Sequence, residues 1–182
     1  MGDAQKYELL GQARALIREI PDFPLSGILF QDLTPLLAHG PSFQAIVSEF
    51  APLARQSDAI AGLEARGFIF AAALAHSLAI GFIPIRKGGK LPYLTFEESY
   101  GLEYGNDIVE IHQDALIAGA RVLIIDDVLA TGGTALAGIR LVERAGGIVT
   151  GIATVLEIES LGGRTRINGA FPSIPVHSIF VM

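Results

Sequence analysis

Val122–Thr134 reads VLIIDDVLATGGT. Val122 to Ile125 form a short apolar run rich in β-branched residues, which predicts a strand buried on both faces. Two adjacent carboxylates follow, Asp126 and Asp127, and the stretch ends in Thr131-Gly132-Gly133-Thr134, small residues suited to a tight loop. From Thr134 onward, Leu136, Ile139, Leu141 and Val142 fall at helical spacing. Strand, glycine loop and helix bring main-chain N–H groups and a helix N-terminus together on an anion. The threonine hydroxyls add donors. Two aspartates just ahead of such a loop suit sugar hydroxyls or a metal better than a phosphate. One ligand carrying both a phosphate and a ribose satisfies the whole segment. The P-loop of nucleoside triphosphatases needs a Gly-Lys-Ser/Thr ending, and none is present.

On either side of this stretch, the chain alternates strand and helix signals. Leu9, Leu10, Ala13, Leu16, Ile17 and Ile20 predict a helix from about Tyr7 to Ile20, stopped by Pro21-Asp22-Phe23-Pro24. A loop is expected over Leu25–Pro35, then a helix from near Ser42 to Ala54. Ala59–Leu63 reads as a buried strand, Gly67–Leu78 as an alanine-rich helix and Gly81–Ile85 as a strand. Arg86–Gly105 shows no clean period and is expected to be irregular; irregular stretches of that length tend to be functional. Short strands are expected at Ile108–Ile111, Ile148–Leu156 and Val176–Val181. The pattern predicts an α/β fold, a mostly parallel twisted sheet flanked by helices. Ligands in such folds sit at the carboxyl ends of the strands. That rule gathers Glu64-Ala65-Arg66-Gly67, Arg86-Lys87 and Asp126–Thr134 around one crevice.

Composition bounds the function. The chain has 182 residues, 51% of them hydrophobic, enough for one domain with a sizeable core and a small appendage. A net charge of −6 argues against a nucleic-acid or membrane-surface partner. With no cysteine there is no disulfide framework and no thiol chemistry. MGDAQKYELL lacks the layout of a signal peptide, and no apolar stretch reaches the length of a membrane span. The four histidines, His39, His76, His112 and His177, show no metal-ligand spacing.

Three further segments carry chemistry. In Gly62–Phe70, GLEARGFIF, Arg66 stands at a predicted helix N-terminus, where the macrodipole disfavours a cation. Taken alone, Arg66 reads as a surface residue paired with Glu64; beside the acidic-pair segment it reads as an anion contact. Arg86-Lys87-Gly88-Gly89-Lys90-Leu91-Pro92 brings three cations and two glycines into one short stretch of an acidic chain, which favours an anion site over a solvated loop. In Ser99–Gly105, SYGLEYG, Glu103 could be a general acid or base on a lid, or a surface acid.

The VLIIDDVLATGGT segment resembles the 5-phosphoribosyl-1-pyrophosphate (PRPP) motif of the type I phosphoribosyltransferases. Nearly the whole chain is similar to the adenine-specific branch of that family. The matching pieces are Pro21–Asp32 (PDFPLSGILFQD), Thr34-Pro35-Leu36-Leu37, GLEARGF, Ile85–Pro92 (IRKGGKLP), LEYG, Glu110-Ile111-His112 with Asp114-Ala115-Leu116, and DDVLATGGT, in the family's order. The IRKGGKLP and LEYG pieces separate the adenine branch from its relatives.

The resemblance implies a fold in which residues 1–35 form an N-terminal helix and a hood over the base, and residues 36–182 the phosphoribosyltransferase core. It implies transfer of phosphoribose from PRPP to N9 of adenine, Mg²⁺ bound with PRPP or pyrophosphate, a homodimer and a cytoplasmic role in purine salvage. Carried over by position, Ala130, Thr131, Gly132, Gly133 and Thr134 hold the 5-phosphate, while Asp126 and Asp127 meet the ribose hydroxyls. Arg66, Arg86 and Lys90 meet the pyrophosphate, Arg66 beside a strained Glu64–Ala65 peptide and Arg86 within its own subunit or across a dimer. Glu103 is the proton-transfer candidate. Phe30 and Val128 flank the purine, and Leu29 and Gln31 lie at its edge. Relatives often carry a cation where Gln31 stands and a proline where Ser26 stands. Competing readings are transfer to hypoxanthine, guanine, xanthine or orotate, a non-catalytic PRPP-sensing regulator, and a PRPP synthase-like subunit. The acidic chain shows no basic DNA-binding module for the regulator and no nucleoside-triphosphate site for the synthase.

Overall fold

The computed structural model describes residues 3–102 and 105–182, which fall into two compact units, Met1–Glu49 and Phe50–Met182. In the first unit, helix α1 spans Asp3–Ala15, strand β1 Arg18–Pro21, strand β2 Leu29–Asp32, helix α2 Thr34–Ala38 and helix α3 Gly40–Phe50, the last residue of which opens the second unit. The helix expected to reach Ile20 therefore ends five residues early. Arg18–Pro21 pair antiparallel with Leu29–Asp32, and Ile20, which continued the helical stripe in the sequence, instead faces Phe30 across the ladder. The Arg18 guanidinium donates to Asp32 Oδ2 at 2.7 Å, which closes the pair electrostatically. Asp32 also accepts from the Thr34 amide at 2.9 Å, where α2 begins with Pro35 in its first turn. The expected Leu25–Pro35 loop thus contains a strand and the start of a helix. Buried Ser42, Ala45 and Ile46 give α3 its inward stripe, and α3 runs about a turn earlier than the Ser42–Ala54 expectation.

The second unit contains β3 (Ala59–Leu63), α4 (Gly67–Leu78), β4 (Gly81–Lys87), β5 (Thr95–Leu102), β6 (Gly105–His112), β7 (Arg121–Leu129), α5 (Gly133–Arg144), β8 (Ile148–Glu157), α6 (Gly163–Ala170) and β9 (Val176–Val181). Seven strands form one sheet in the order β5-β6-β4-β3-β7-β8-β9. Its β4-β3-β7-β8-β9 portion is parallel, and β6 and β5 add antiparallel at one end. Side chains alternate across the sheet. A Cβ on Gly62 would meet Ala71 of α4, whereas a Cβ on Gly138 of α5 would meet Leu63, Ile85 and Ile124. Helices α4 and α5 therefore cover opposite faces, and the expected α/β architecture stands.

Two expectations change here. Arg86–Gly105 is irregular only in part: residues 88–94 lie outside the strands, but β4 runs on to Lys87, and Thr95–Leu102 forms a hairpin strand with β6 in continuous register. The strand was obscured because its inward face, Phe96, Glu98 and Tyr100, carries an acid. Glu98 pairs there with Arg140 and Arg144 of α5, at 3.1 and 3.5 Å. Strand β7 also outlasts its apolar run. Asp126 pairs with Thr154 and Val128 with Leu156, so the two acids lie within the strand rather than after it. Helix α6, with the glycine-rich polar sequence GRTRINGA, carries little apolar periodicity and was not expected.

Candidate active site

Strand β7 delivers the acids and then the loop. Val122 to Ile125 are buried, which anchors Asp126 and Asp127 at the carboxyl end of the parallel sheet. Asp127 is only 5% exposed. Its amide donates to Asp126 Oδ1 at 2.8 Å, and its Oδ2 lies 2.6 Å from Arg66 Nε. Withdrawal from water, reinforced by the charge of Asp127, pushes the Asp126 carboxyl well above the ordinary aspartate range. Burial also raises Asp127, against the pull of the Arg66 guanidinium. Two adjacent carboxylates with one nearby arginine are held in a place where both resist ionisation, an arrangement that suits a cationic or hydroxyl-bearing ligand better than stability.

Beyond Asp127, a cleft of about 70 Å³ is lined by Asp126, Val128, residues 129–135 and Thr154. Gly132 has φ +77°, and α5 begins immediately afterwards at Gly133. The loop thus ends in a helix N-terminus, an arrangement that favours an anion. Thr131 is exposed beside this cleft and Thr134 partly so.

The other predicted contacts connect to this cleft step by step. Glu64–Ala65 is a cis peptide between β3 and α4. Gly67 opens α4 so close to β7 that a Cβ there would lie 2.8 Å from the Ile125 carbonyl oxygen. That approach sets Arg66 against Asp127. Glu64 accepts from Arg86 Nε and Nη2, each at 3.2 Å, and from the Lys87 amide at 2.8 Å. Arg86 Nη1 donates to the Lys90 carbonyl at 3.2 Å. Arg66, Arg86, Lys90, Asp126, Asp127 and Ala130–Thr134 therefore belong to one connected neighbourhood in the second unit. Arg86 is the arginine that pairs with Glu64; Arg66 is turned to the acidic pair.

Leu29, Phe30 and Gln31 lie in β2 of the first unit. Leu29 is 47% exposed, Phe30 stacks edge-on against Phe23 at 5.1 Å between centroids, and Gln31 is buried. Among the described residues, strand β2 pairs with β1 alone. Glu103 lies outside the described residues, between β5 and β6 in chain order.

The structure adds residues that sequence reasoning passed over. Thr154 lines the cleft from β8. Tyr100 of β5 sits with its ring 3.2 Å from where a Gly133 Cβ would be, and its hydroxyl donates to Asp107 at 3.2 Å. Burial raises the Tyr100 hydroxyl above the ordinary range. Glu110, 2% exposed, accepts from the Lys90 and Leu91 amides at 2.7 Å each. A buried acid in the middle of a strand was the available signal for Glu110; for Thr154 there was none.

Known proteins are similar to this chain in sequence and fold. The phosphoribosyl transferase domain family matches residues 37–168. The adenine phosphoribosyltransferase of Roseiflexus castenholzii is 53% identical over 154 residues, covering 84% of this chain and 90% of its own. That of Jannaschia sp. (strain CCS1) is 51% identical over 168 residues, 91% of this chain and 93% of its own. Among solved structures, the adenine phosphoribosyltransferase of Thermoanaerobacter pseudethanolicus superimposes with a TM-score of 0.89 at 45% identity, covering 95% of this chain and 99% of that one. The Saccharomyces cerevisiae enzyme, complexed with an imino-altritol bisphosphate and adenine, gives 0.88 at 36% identity over 95% and 99% of the two chains. With half of its residues identical across nine-tenths of its length, and the same fold, this chain belongs to the adenine phosphoribosyltransferase family.

Proposed function

We propose that the chain joins N9 of adenine to C1 of the ribose of PRPP and releases pyrophosphate, forming AMP in purine salvage. The observation that carries this reading is the Asp126–Asp127 pair, Asp127 buried and Asp126 partly so, continuous with a glycine loop that ends in a helix N-terminus on one side and with Arg66, Arg86 and Lys90 on the other. Main-chain N–H groups of Ala130–Thr134 and the hydroxyls of Thr131 and Thr134 hold the 5-phosphate. Asp126 and Asp127 meet the ribose hydroxyls. As the C1–O bond breaks, positive charge grows on the sugar and the paired carboxylates stabilise it. The bonding electrons leave with pyrophosphate, which Arg66, Arg86 and Lys90 neutralise. N9 attacks C1, and Glu103 takes the proton that N9 sheds. Leu29, Phe30, Gln31 and Val128 are the proposed adenine contacts, with residues 1–35 as the hood.

The acidic pair also fits Mg²⁺. Among the described residues no group of three or more His, Asp or Glu side chains could hold a metal unaided. Asp126 and Asp127 would hold it together with substrate oxygens and water, the donor set this hard cation prefers. When bound, Mg²⁺ offsets the charge of the pyrophosphate. A homodimer in the cytoplasm completes the proposal; among the described residues no helix is long and apolar enough to cross a membrane.

The test is AMP formation from adenine, PRPP and Mg²⁺ by the purified chain, repeated with hypoxanthine. Adenine presents a donor at its 6-amino group and an acceptor at N1; hypoxanthine reverses both. Each mismatched buried contact costs about 1–3 kcal/mol. Two such contacts give a kcat/KM preference for adenine of roughly 10²–10⁴-fold. Equal values would leave phosphoribosyl transfer standing and remove the specific assignment to adenine.

A further inference from the structure

Helix α6 presses its first residue into the back of the proposed phosphate loop. A Cβ on Gly163 would run into the Ala130 carbonyl oxygen and lie 3.0 Å from the Gly132 nitrogen. Reciprocally, a Cβ on Gly132 would lie 2.9 Å from the Gly163 carbonyl oxygen. The two backbones touch with no side chain between them. Buried Ile167 packs α6 on the core and Arg166 Nη1 approaches the Thr131 carbonyl at 3.5 Å, and the second residue of α6 ties it to the sheet. Arg164 donates through Nε to Glu157 Oε1 at 2.9 Å and through Nη2 to Ser178 Oγ at 3.1 Å, and it pairs with Glu157 again through Nη2. Its Nη1 reaches the Val176 carbonyl. Glu157 is 3% exposed, and the Arg164 guanidinium holds its carboxyl below the ordinary glutamate range. Ser178 Oγ donates to Glu157 Oε2 at 2.7 Å and accepts from Thr154 Oγ1 at 3.0 Å. Thr154 itself lines the cleft. The contacts therefore form a closed circuit, from the cleft wall through Ser178, Glu157 and Arg164 to Gly163 and back to the loop.

We infer that Glu157 and Arg164 are positioning residues for PRPP: through Gly163 they fix the main-chain donors of Ala130–Gly132 at the distance the 5-phosphate needs. The inference rests on the functional reading above. A charged pair tied to both a neighbouring strand and the loop's own support sets that distance more firmly than apolar packing, because the planar arginine fork fixes direction as well as range. Displacement of positioned groups by about an ångström commonly costs on the order of a hundredfold.

The experiment compares the unaltered chain with Gly163→Ala, which intrudes on the loop and keeps the ion pair, and Arg164→Lys, which keeps the charge and loses the fork. Both are measured for kcat, for KM of each substrate, and for ribose 5-phosphate affinity by calorimetry. The expected result is a PRPP KM raised about ten- to hundredfold. Ribose 5-phosphate should weaken in parallel, while the adenine KM stays within about threefold. Equal rises for both substrates, or an unchanged ribose 5-phosphate affinity in whichever variant folds, overturn the inference. If the unaltered chain bound ribose 5-phosphate but made no AMP, the functional reading would fail, and the calorimetric comparison would still decide the positioning role.

Discussion

Asp126 follows four buried apolar residues along β7 and is the point where that strand turns from core-making to chemistry. Its folded pKa lies well above the unfolded value of 3.8. The folded state therefore binds the proton more tightly, and stability declines as pH climbs from about 4 toward that raised pKa. At neutral pH the carboxylate counts against the fold. Asp126→Asn, which keeps an oxygen for the Asp127 amide, should raise the melting temperature of the protein without substrates, by about 2–4 °C for each kcal/mol relieved. It should also lower kcat/KM by at least about a hundredfold. Calorimetry at pH 7 and pH 4 checks the first expectation, since the gain should shrink at the lower pH; AMP formation checks the second. A variant that melts lower and retains activity would show that Asp126 is a structural residue. Both acids and the TGGT loop were legible in the sequence because strand, charge and glycine occur there in a strict order.

At the scale of elements, the basic loop after β4 is held in place by acids from other strands. Glu64 takes the Lys87 amide, and Glu110 of β6 takes those of Lys90 and Leu91. Glu110→Ala would leave two inward-facing amides without their acceptor, at about 1–3 kcal/mol each. The expected outcome is a lower melting temperature together with a several-fold rise in the PRPP KM and little change for adenine, read by steady-state kinetics. The cations of this loop were visible in the sequence; the acids that hold it were not, because they come from distant strands. The β5–β6 hairpin was hidden for a related reason. Phe96 and Tyr100 mark an inward face, but Glu98 between them resembles a surface residue until Arg140 and Arg144 are brought opposite it. The boundary between α1 and β1 misled in the other direction, since Ile17 and Ile20 continue the helical period of α1, yet Ile20 pairs with Phe30 across a strand ladder. Parallel order followed from alternation of elements, whereas α6 had too few apolar residues to announce itself.

For the molecule as a whole, two sets of carboxylates pull stability in opposite directions with pH. Asp58, through its paired hydrogen bonds with Arg121, and Asp32, through Thr34 and Arg18, are each lowered to about 2. Their contribution is complete above the ordinary aspartate range and fades as pH falls toward 2. Asp126 and Asp127 act in the reverse sense, losing stability as pH rises. The unliganded protein should therefore be most stable at about pH 4–6. Thermal melts across pH should show both flanks, and Asp126→Asn should flatten the upper one; a profile that rises without a break to neutrality would contradict this balance. Arg164 has one further consequence at this scale. Strand β9 ends the sheet, and because the Pro175 carbonyl accepts from Ile152 of β8, the next carbonyl, that of Val176, points the other way, toward the open edge. Arg164 occupies that acceptor. An exposed strand edge is a template on which another chain can add a strand. By placing a guanidinium where an incoming amide would dock, Arg164 leaves that edge one acceptor fewer to offer a strand from another chain.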